Sequence, residues 1–327
     1  MRFGGVFGVV LLMLLLGCHG NGPSRNSPES GLFHERIEVE GTPRRYALYL
    51  PKNPRNEPLA LVISLHGGGV TIEDMTGESG YRSPYRVWME IAEREGVAIL
   101  FPEGLDGAYG TPTWNDCRGD SLVSSTADDV AFIERLITEV SARVSVDPGR
   151  IYASGTSNGG MMALRLGIER PRLFAAVAAV AAAMPARSEC PAPYEPLSVL
   201  FMNGTADTHM PYDGGTVSDP PKPEYGTVLS TDDSVAIFTR LDATAAQPVR
   251  YRFADLDPDD GGIVTRFVYG QGIGGTEVVL YRVEGGGHSA PSIRERYSAL
   301  FERYFGKQNH DIEMAEEVWS FFKRHRR

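Results

Sequence analysis

The chain has 327 residues, enough for one large α/β domain with a well-buried core. Apolar residues make up 42% and charged residues 23%, as in ordinary soluble proteins. With 42 acidic against 32 basic side chains the net charge is −10, which argues against a nucleic-acid partner.

The N-terminus reads as a targeting segment. Arg2 supplies a positive charge, and Phe3 to Leu16 form an apolar run that is short for a membrane span and suited to a signal peptide. The run ends in Leu15-Leu16-Gly17-Cys18, which resembles the bacterial lipobox; that resemblance implies cleavage before Cys18, a lipid on its sulfur and attachment to a membrane of the cell envelope. An ordinary signal peptide that happens to hold a Cys is the alternative. His19 to Gly31 is polar and rich in Gly, Pro, Ser and Asn, as expected of a tether. The expected organisation is thus a signal peptide at 1–17, a lipidated Cys and tether at 18–31, and one catalytic domain at 32–327.

Ile37 to Glu40 and Tyr46 to Leu50 read as paired strands around a turn at Gly41-Thr42-Pro43. Leu59 to Leu65 is an apolar run interrupted only by Ser64, as suits an inner strand. A helix over Val87 to Arg94, stopped by Gly96, leads to a strand at Val97 to Phe101. In Ala127 to Val144, Val130, Ile133, Leu136, Ile137, Val140 and Val144 recur at helical spacing, with Ser125 or Thr126 placed to cap the start. Asp147-Pro148-Gly149 reads as a turn before a short strand at Ile151 to Ser154 and a helix at Asn158 to Ile168. Further strands are expected at Ala175 to Ala182, Leu197 to Met202 and Val278 to Val283, with a closing helix over Ile312 to His325. Lys323, Arg324, Arg326 and Arg327 read as its solvated, basic end. Pro211 to Gly275 breaks the rhythm and reads as an excursion above the sheet, with one helical stretch near Asp232 to Leu241. Alternating strands and helices predict an α/β fold with a mostly parallel sheet and helices on both faces.

Gly155-Thr156-Ser157-Asn158-Gly159 matches the nucleophile elbow G-x-S-x-G, between a strand and a helix as that motif requires. Leu65-His66-Gly67-Gly68-Gly69 follows a buried strand, where an oxyanion loop belongs. Backbone N–H groups of Gly67 and Gly68 would then act with that of Asn158, while His66 supports the loop. The base should come late in the chain. His288, in Gly285-Gly286-Gly287-His288 after a strand, fits best, with His310 as backup. The acid should follow a strand between them. Asp207, in Asn203-Gly204-Thr205-Ala206-Asp207, is closest to a strand end, with Asp213 and Asp232 as alternatives. Cys117 and Cys190 are the two cysteines of the mature body and form either one disulfide or two buried thiols. Asp255 to Gly261 looks like a calcium loop, but its sixth position is Asp260 where Gly is needed, so it reads as an acidic turn. No metal or cofactor is expected. Met161 and Met162 suit core packing.

These motifs, with Trp114-Asn115-Asp116, Asp128-Asp129-Val130 and Pro211-Tyr212-Asp213-Gly214-Gly215, occur in an order that resembles the polyhydroxybutyrate depolymerase and feruloyl esterase family of secreted hydrolases. The resemblance runs from about Tyr46 to His325. It implies an α/β-hydrolase fold, ester substrates that are often polymeric or attached to polysaccharide, and a triad at Ser157, Asp207 and His288. The sequence departs from the family after the His, where Ser289-Ala290-Pro291 stands in place of a Trp-Pro-Gly stretch. Trp114 is the candidate replacement for that aromatic pocket wall, and a core or rim position is its other reading. Two rival functions remain: a peptidase, and a surface lipoprotein that binds glycan or polymer with a silent triad.

Overall fold

The computed structural model describes residues 30–52, 58–218 and 222–327. The apolar leader, Cys18 and nearly all of the tether lie outside the described residues. Among the described residues no helix is long and apolar enough to cross a membrane.

The chain opens with antiparallel strands β1 (Gly31–Val39) and β2 (Thr42–Leu50), longer than the pattern suggested, because both stay half-buried to their ends. Strand β3 (Leu59–Leu65) is followed by α1 (Ile72–Thr76) and α2 (Val87–Glu95). Helix α2 is closed by Gly96 at φ +70°. Then come β4 (Val97–Pro102), the short pair β5 (Leu105–Asp106) and β6 (Pro112–Thr113), and α3 (Asp129–Arg143). Strand β7 (Val146–Thr156) leads directly into α4 (Asn158–Glu169), and β8 (Ala176–Val180) and β9 (Ser198–Gly204) follow. A second short pair, β10 (Gly215–Thr216) and β11 (Thr227–Val228), precedes α5 (Thr231–Leu241). Strands β12 (Val249–Arg252), β13 (Ile263–Tyr269) and β14 (Val278–Glu284) come next, then α6 (Ala299–Phe305) and α7 (Met314–Phe322).

Ten strands form one sheet in the order β1-β2-β4-β3-β7-β8-β9-β14-β13-β12. The middle six, β4 to β14, run parallel, and antiparallel strands extend both edges. Both faces of the parallel part are covered, which is why β3, β8 and β9 are buried throughout and mostly apolar, Ser64, Ser198 and Asn203 being the polar exceptions. On one face Leu61, Ile63 and Leu65 of β3 pack with α3, α4 and α5. On the other, Ala60 and Val62 meet Trp88 and Ile91 of α2 and Val318 and Phe322 of α7. Met161 and Met162 are core residues.

Three expectations need correction and a fourth needs an addition. Helix α3 is capped by Asp128, whose carboxylate accepts the Ala131 N–H; Ser125 instead receives the Ala127 N–H and turns the chain ahead of the helix. Asp147-Pro148-Gly149 does not end a segment but lies inside β7, where the pairing with β3 shifts between Leu59 and Leu61. The stretch from Pro211 to Gly275 is not wholly above the sheet: β12 and β13 pair onto β14 and widen the sheet itself. The basic tail is exposed, as expected, but its charges are also paired, because acidic partners lie beneath it. Arg326 meets Asp147 at 2.7 Å, Arg324 meets Glu277 at 2.7 Å, and the Arg327 N–H donates to the Gly149 carbonyl.

One very close approach in this architecture is between β3 and α4. A Cβ on Gly159 would lie 2.3 Å from the His66 carbonyl oxygen and 2.5 Å from that of Leu65. Both obstacles are backbone, so neither can rotate away. Gly159→Ala is expected to destabilise the fold by about 1–3 kcal/mol or more. Denaturant melts of the variant would show this, and an unchanged midpoint would mean that helix and strand can separate at no cost.

Candidate active site

Ser157 stands at the turn from β7 into α4 with φ 55° and ψ −126°, a conformation that costs a non-glycine residue energy. The turn can be this tight because Gly155 and Gly159 touch: a Cβ on Gly155 would lie 2.2 Å from the Gly159 carbonyl oxygen. The Ser157 N–H is tied to the Val180 carbonyl at 2.8 Å. The side chain is thereby pushed out beyond the strand ends.

Asp207 and His288 leave two neighbouring parallel strands, β9 and β14. Their exits are joined by several contacts. The Thr205 N–H donates to the Val283 carbonyl and the Ala206 N–H to the Gly286 carbonyl, both at 2.9 Å. Gly204 is packed so tightly that a Cβ there would meet the Gly286 carbonyl oxygen at 2.2 Å. The His288 ring reaches back over the sheet, with Nε2 2.9 Å from Ser157 Oγ and Nδ1 2.7 Å from Asp207 Oδ2. Asp207 is 5% exposed, and its other oxygen accepts the N–H groups of His209 and Met210, each at 2.8 Å. In that arrangement Nδ1–H donates to the carboxylate, and the bare Nε2 can accept the serine proton. The alternatives lie elsewhere. Asp213 is exposed, Asp232 accepts from the Tyr212 hydroxyl, and His310 is bound to the Ser292 carbonyl at 2.8 Å.

The glycine loop after β3 faces the same point. A Cβ on Gly67 would lie 3.6 Å from Ser157 Cβ, and one on Gly68 would lie 4.0 Å from Asn158 Cβ. The Gly69 N–H is spent on the Pro112 carbonyl. Asn158 opens α4, so its N–H is one of those that the helix cannot satisfy. His66 is fully buried behind the loop. Its Nε2 accepts the Gly104 N–H at 2.9 Å, which leaves Nδ1–H to donate to the Gly67 carbonyl at 2.7 Å. Burial pushes its imidazole down to about 4, so the ring is neutral at ordinary pH.

Trp114 is not a pocket wall. It is fully buried, its ring lies 4.7 Å from that of His66, and its indole N–H donates to the His66 carbonyl at 2.9 Å. The physical reason is the shape of the loop after β6, which turns inward beneath the glycines. Cys117 and Cys190 are joined by a disulfide that ties this loop to the segment after β8. Glu169 lies beside the bond, whose oxidised sulfurs offer no thiolate to a metal. Ser157, Asn158 and His288 open into a cavity of about 350 Å³ that is also lined by Arg118, Met210, Val217, Tyr225 and Phe305.

The family described as esterase PHB depolymerase matches residues 44–189. NocK of Nocardia uniformis subsp. tsuyamanensis, a protein designated an esterase, is 35% identical over 270 residues, covering 78% of this chain and 73% of NocK. The chain belongs to the polyhydroxybutyrate depolymerase and feruloyl esterase family. A protein of Aspergillus niger carrying the feruloyl esterase C designation is 28% identical over 63% of this chain and 70% of its own length. The crystallised acetyl xylan esterase of Aspergillus awamori superposes with a TM-score of 0.51 at 14% identity, over 85% of this chain and 99% of that enzyme. The common architecture is the α/β-hydrolase fold.

Three residues around the site of this esterase were not singled out from sequence. His209 stacks on His288 with ring centres 5.5 Å apart, and Phe305 lies 4.8 Å from His209 and 6.2 Å from His288. Phe305 and His209 thus provide the aromatic surface beside His288 that the missing Trp-Pro-Gly stretch left open. The signal was present in the spacing of Phe301 and Phe305 after Ser298, a helix cap with an aromatic face. The third residue, Arg118, lies too close to Asp116 in sequence for periodicity to mark it.

The buried His66 makes stability depend on pH. Its unfolded form binds a proton below about 6.5, whereas the folded form resists protonation until about 4. Stability should therefore be fully present above the unfolded value and fall as pH drops from 6.5 towards 4. Urea melts at pH 7.5 and 5 should show a larger loss in the parent than in His66→Asn. Equal losses would mean that other groups carry the effect.

Proposed function

We propose that this family member is an exported serine esterase that works through an acyl-enzyme. The observation that carries this reading is the unbroken line from Asp207 through His288 to Ser157, with contacts of 2.7 and 2.9 Å, at the mouth of a cavity. Ser157 Oγ attacks the ester carbonyl as its proton passes to Nε2 of His288. Asp207 holds the ring in the right tautomer and stabilises the imidazolium. The carbonyl oxygen, now an anion, rests on N–H groups of Gly67, Gly68 and Asn158. His288 then returns the proton to the leaving alcohol. Water, activated by the same imidazole, attacks the acyl-serine and releases the acid. Nucleophile, base and acid are all supplied by side chains, so no step calls on a metal or organic cofactor.

The names of the relatives point to feruloyl or acetyl esters of polysaccharide, or to polyhydroxyalkanoate, as substrate classes. Export is supported by Arg2 with the apolar run after it and by the Cys117–Cys190 disulfide, a bond that persists in oxidising compartments. Lipidation of Cys18 would hold the enzyme at a membrane by its tether.

p-Nitrophenyl butyrate turnover by residues 31–327, beside Ser157→Ala, tests the chemistry. The parent should turn over and the variant should lose about a thousandfold or more. Equal inertness of two folded proteins would favour a binding protein with a silent site. In a bacterial host fed with labelled palmitate, the full chain should take up label and Cys18→Ser should not. Labelling of both, or of neither, removes the anchor.

A further inference from the structure

The buried segment from Trp114 to Arg118 joins the two sides of the oxyanion site. On one side, the Trp114 indole N–H donates to the carbonyl of His66, the residue next to Gly67. On the other, the segment grips the side chain of Asn158, the residue next to Ser157. Asn158 Oδ1 accepts the Trp114 backbone N–H at 2.7 Å. Its Nδ2 donates to the Trp114 carbonyl at 3.0 Å and to Asp116 Oδ2 at 2.6 Å. Both amide hydrogens and the amide oxygen are therefore used, and the side chain has one orientation.

Asp116 is fixed in turn. It is 2% exposed, and Arg118 reaches it from Nε, 3.1 Å from both oxygens, and from the terminal nitrogen at 2.7 Å. Arg118 is held from outside by the Tyr225 carbonyl at 2.6 Å and Ser124 Oγ at 3.3 Å. Further anchors surround the segment: the Asn115 N–H donates to Asp129, which also binds Arg44, and Cys117 is bonded to Cys190. Replacing a buried ion pair by apolar side chains is often neutral or stabilising, so fold stability alone does not explain this arrangement. What the pair does locally is orient one amide.

We propose that Asp116 is a positioning residue for ester hydrolysis. Paired with Arg118, it fixes Asn158 so that its backbone N–H meets the developing oxyanion at a set distance from Gly67 and Gly68. The inference rests on the serine-esterase reading above. Asp116 touches no reacting atom. Its effect reaches the substrate through the Asn158 N–H, and so it should appear in the transition state and not in ground-state binding.

Asp116→Asn keeps the shape and removes the charge that orients Arg118. With p-nitrophenyl butyrate, kcat is expected to fall about ten- to hundredfold, below the hundred- to thousandfold typical of losing a whole donor, while KM stays within about threefold. Affinity for butylboronic acid, which forms a tetrahedral adduct on the serine, should fall by the same factor as kcat/KM. A kcat within threefold of the parent, or a loss confined to KM, overturns the proposal. If Asp116→Asn does not fold, Arg118→Lys serves, since an ammonium cannot fork across both carboxylate oxygens. A fall in kcat at unchanged KM again supports the role, and an unchanged kcat overturns it. Ser157→Ala, measured in parallel, separates the two ideas. An active parent with a dead Ser157→Ala upholds the serine mechanism whatever Asp116→Asn does, whereas an inert parent removes both.

Discussion

The structure depends most on the contact between the first turn of α4 and the ends of β3 and β7. Gly155 touches Gly159 across the elbow, and Gly159 touches the carbonyls of Leu65 and His66. No side chain fits at either glycine. That closeness puts Asn158 and the Gly67–Gly68 loop on the same side of Ser157, and it also forces Ser157 into a left-handed backbone conformation. Ser157 and the N–H groups beside it are thus placed by one packing constraint.

Behind that contact the buried polar groups form a continuous support. His66 bridges Gly104 and Gly67, Trp114 bridges His66 and Asn158, and Asp116 with Arg118 closes the far side. Each group has a partner, which matters because an unpaired one would cost about 1–3 kcal/mol. Low dielectric strengthens such networks and makes them intolerant of partial loss. The site is therefore stiff where charge develops in the proposed reaction. It is more open on the side of α6, where none of the helix's residues is buried and Phe305 faces the cavity.

Much of this was legible in the sequence, and the reasons differ by residue. Strand β3 was readable because both of its faces are covered and every position but Ser64 is apolar. The elbow was readable because only glycine fits two of its five positions. Asp207 and His288 could be ranked by distance from a strand end, since β9 and β14 are neighbours and their exits face each other. What failed was whatever depended on tertiary direction. Trp114 was offered as a pocket wall, yet nothing local says that the loop after β6 turns inward. The ion pairs of the exposed basic tail were missed because Asp147 and Glu277, its partners, lie far off in sequence. The capping choice at α3 missed by two or three residues because Ser125, Thr126 and Asp128 are all good caps and only the observed turn selects among them.

Strand β8 has one further consequence. It consists of alanine and valine, and it separates β7, which bears Ser157, from the joined pair β9 and β14, which bear Asp207 and His288. The site is in effect two blocks with a thin spacer. Asp207 and His288 are joined, because their exits are hydrogen-bonded to each other, whereas the triad is linked across β8 by the 2.9 Å contact from His288 to Ser157. Any change in sheet twist at β8 acts on that contact first. Tuning this enzyme for heat or cold would therefore centre on how firmly β8 is gripped, since a slight hinge there would lengthen the contact between His288 and Ser157.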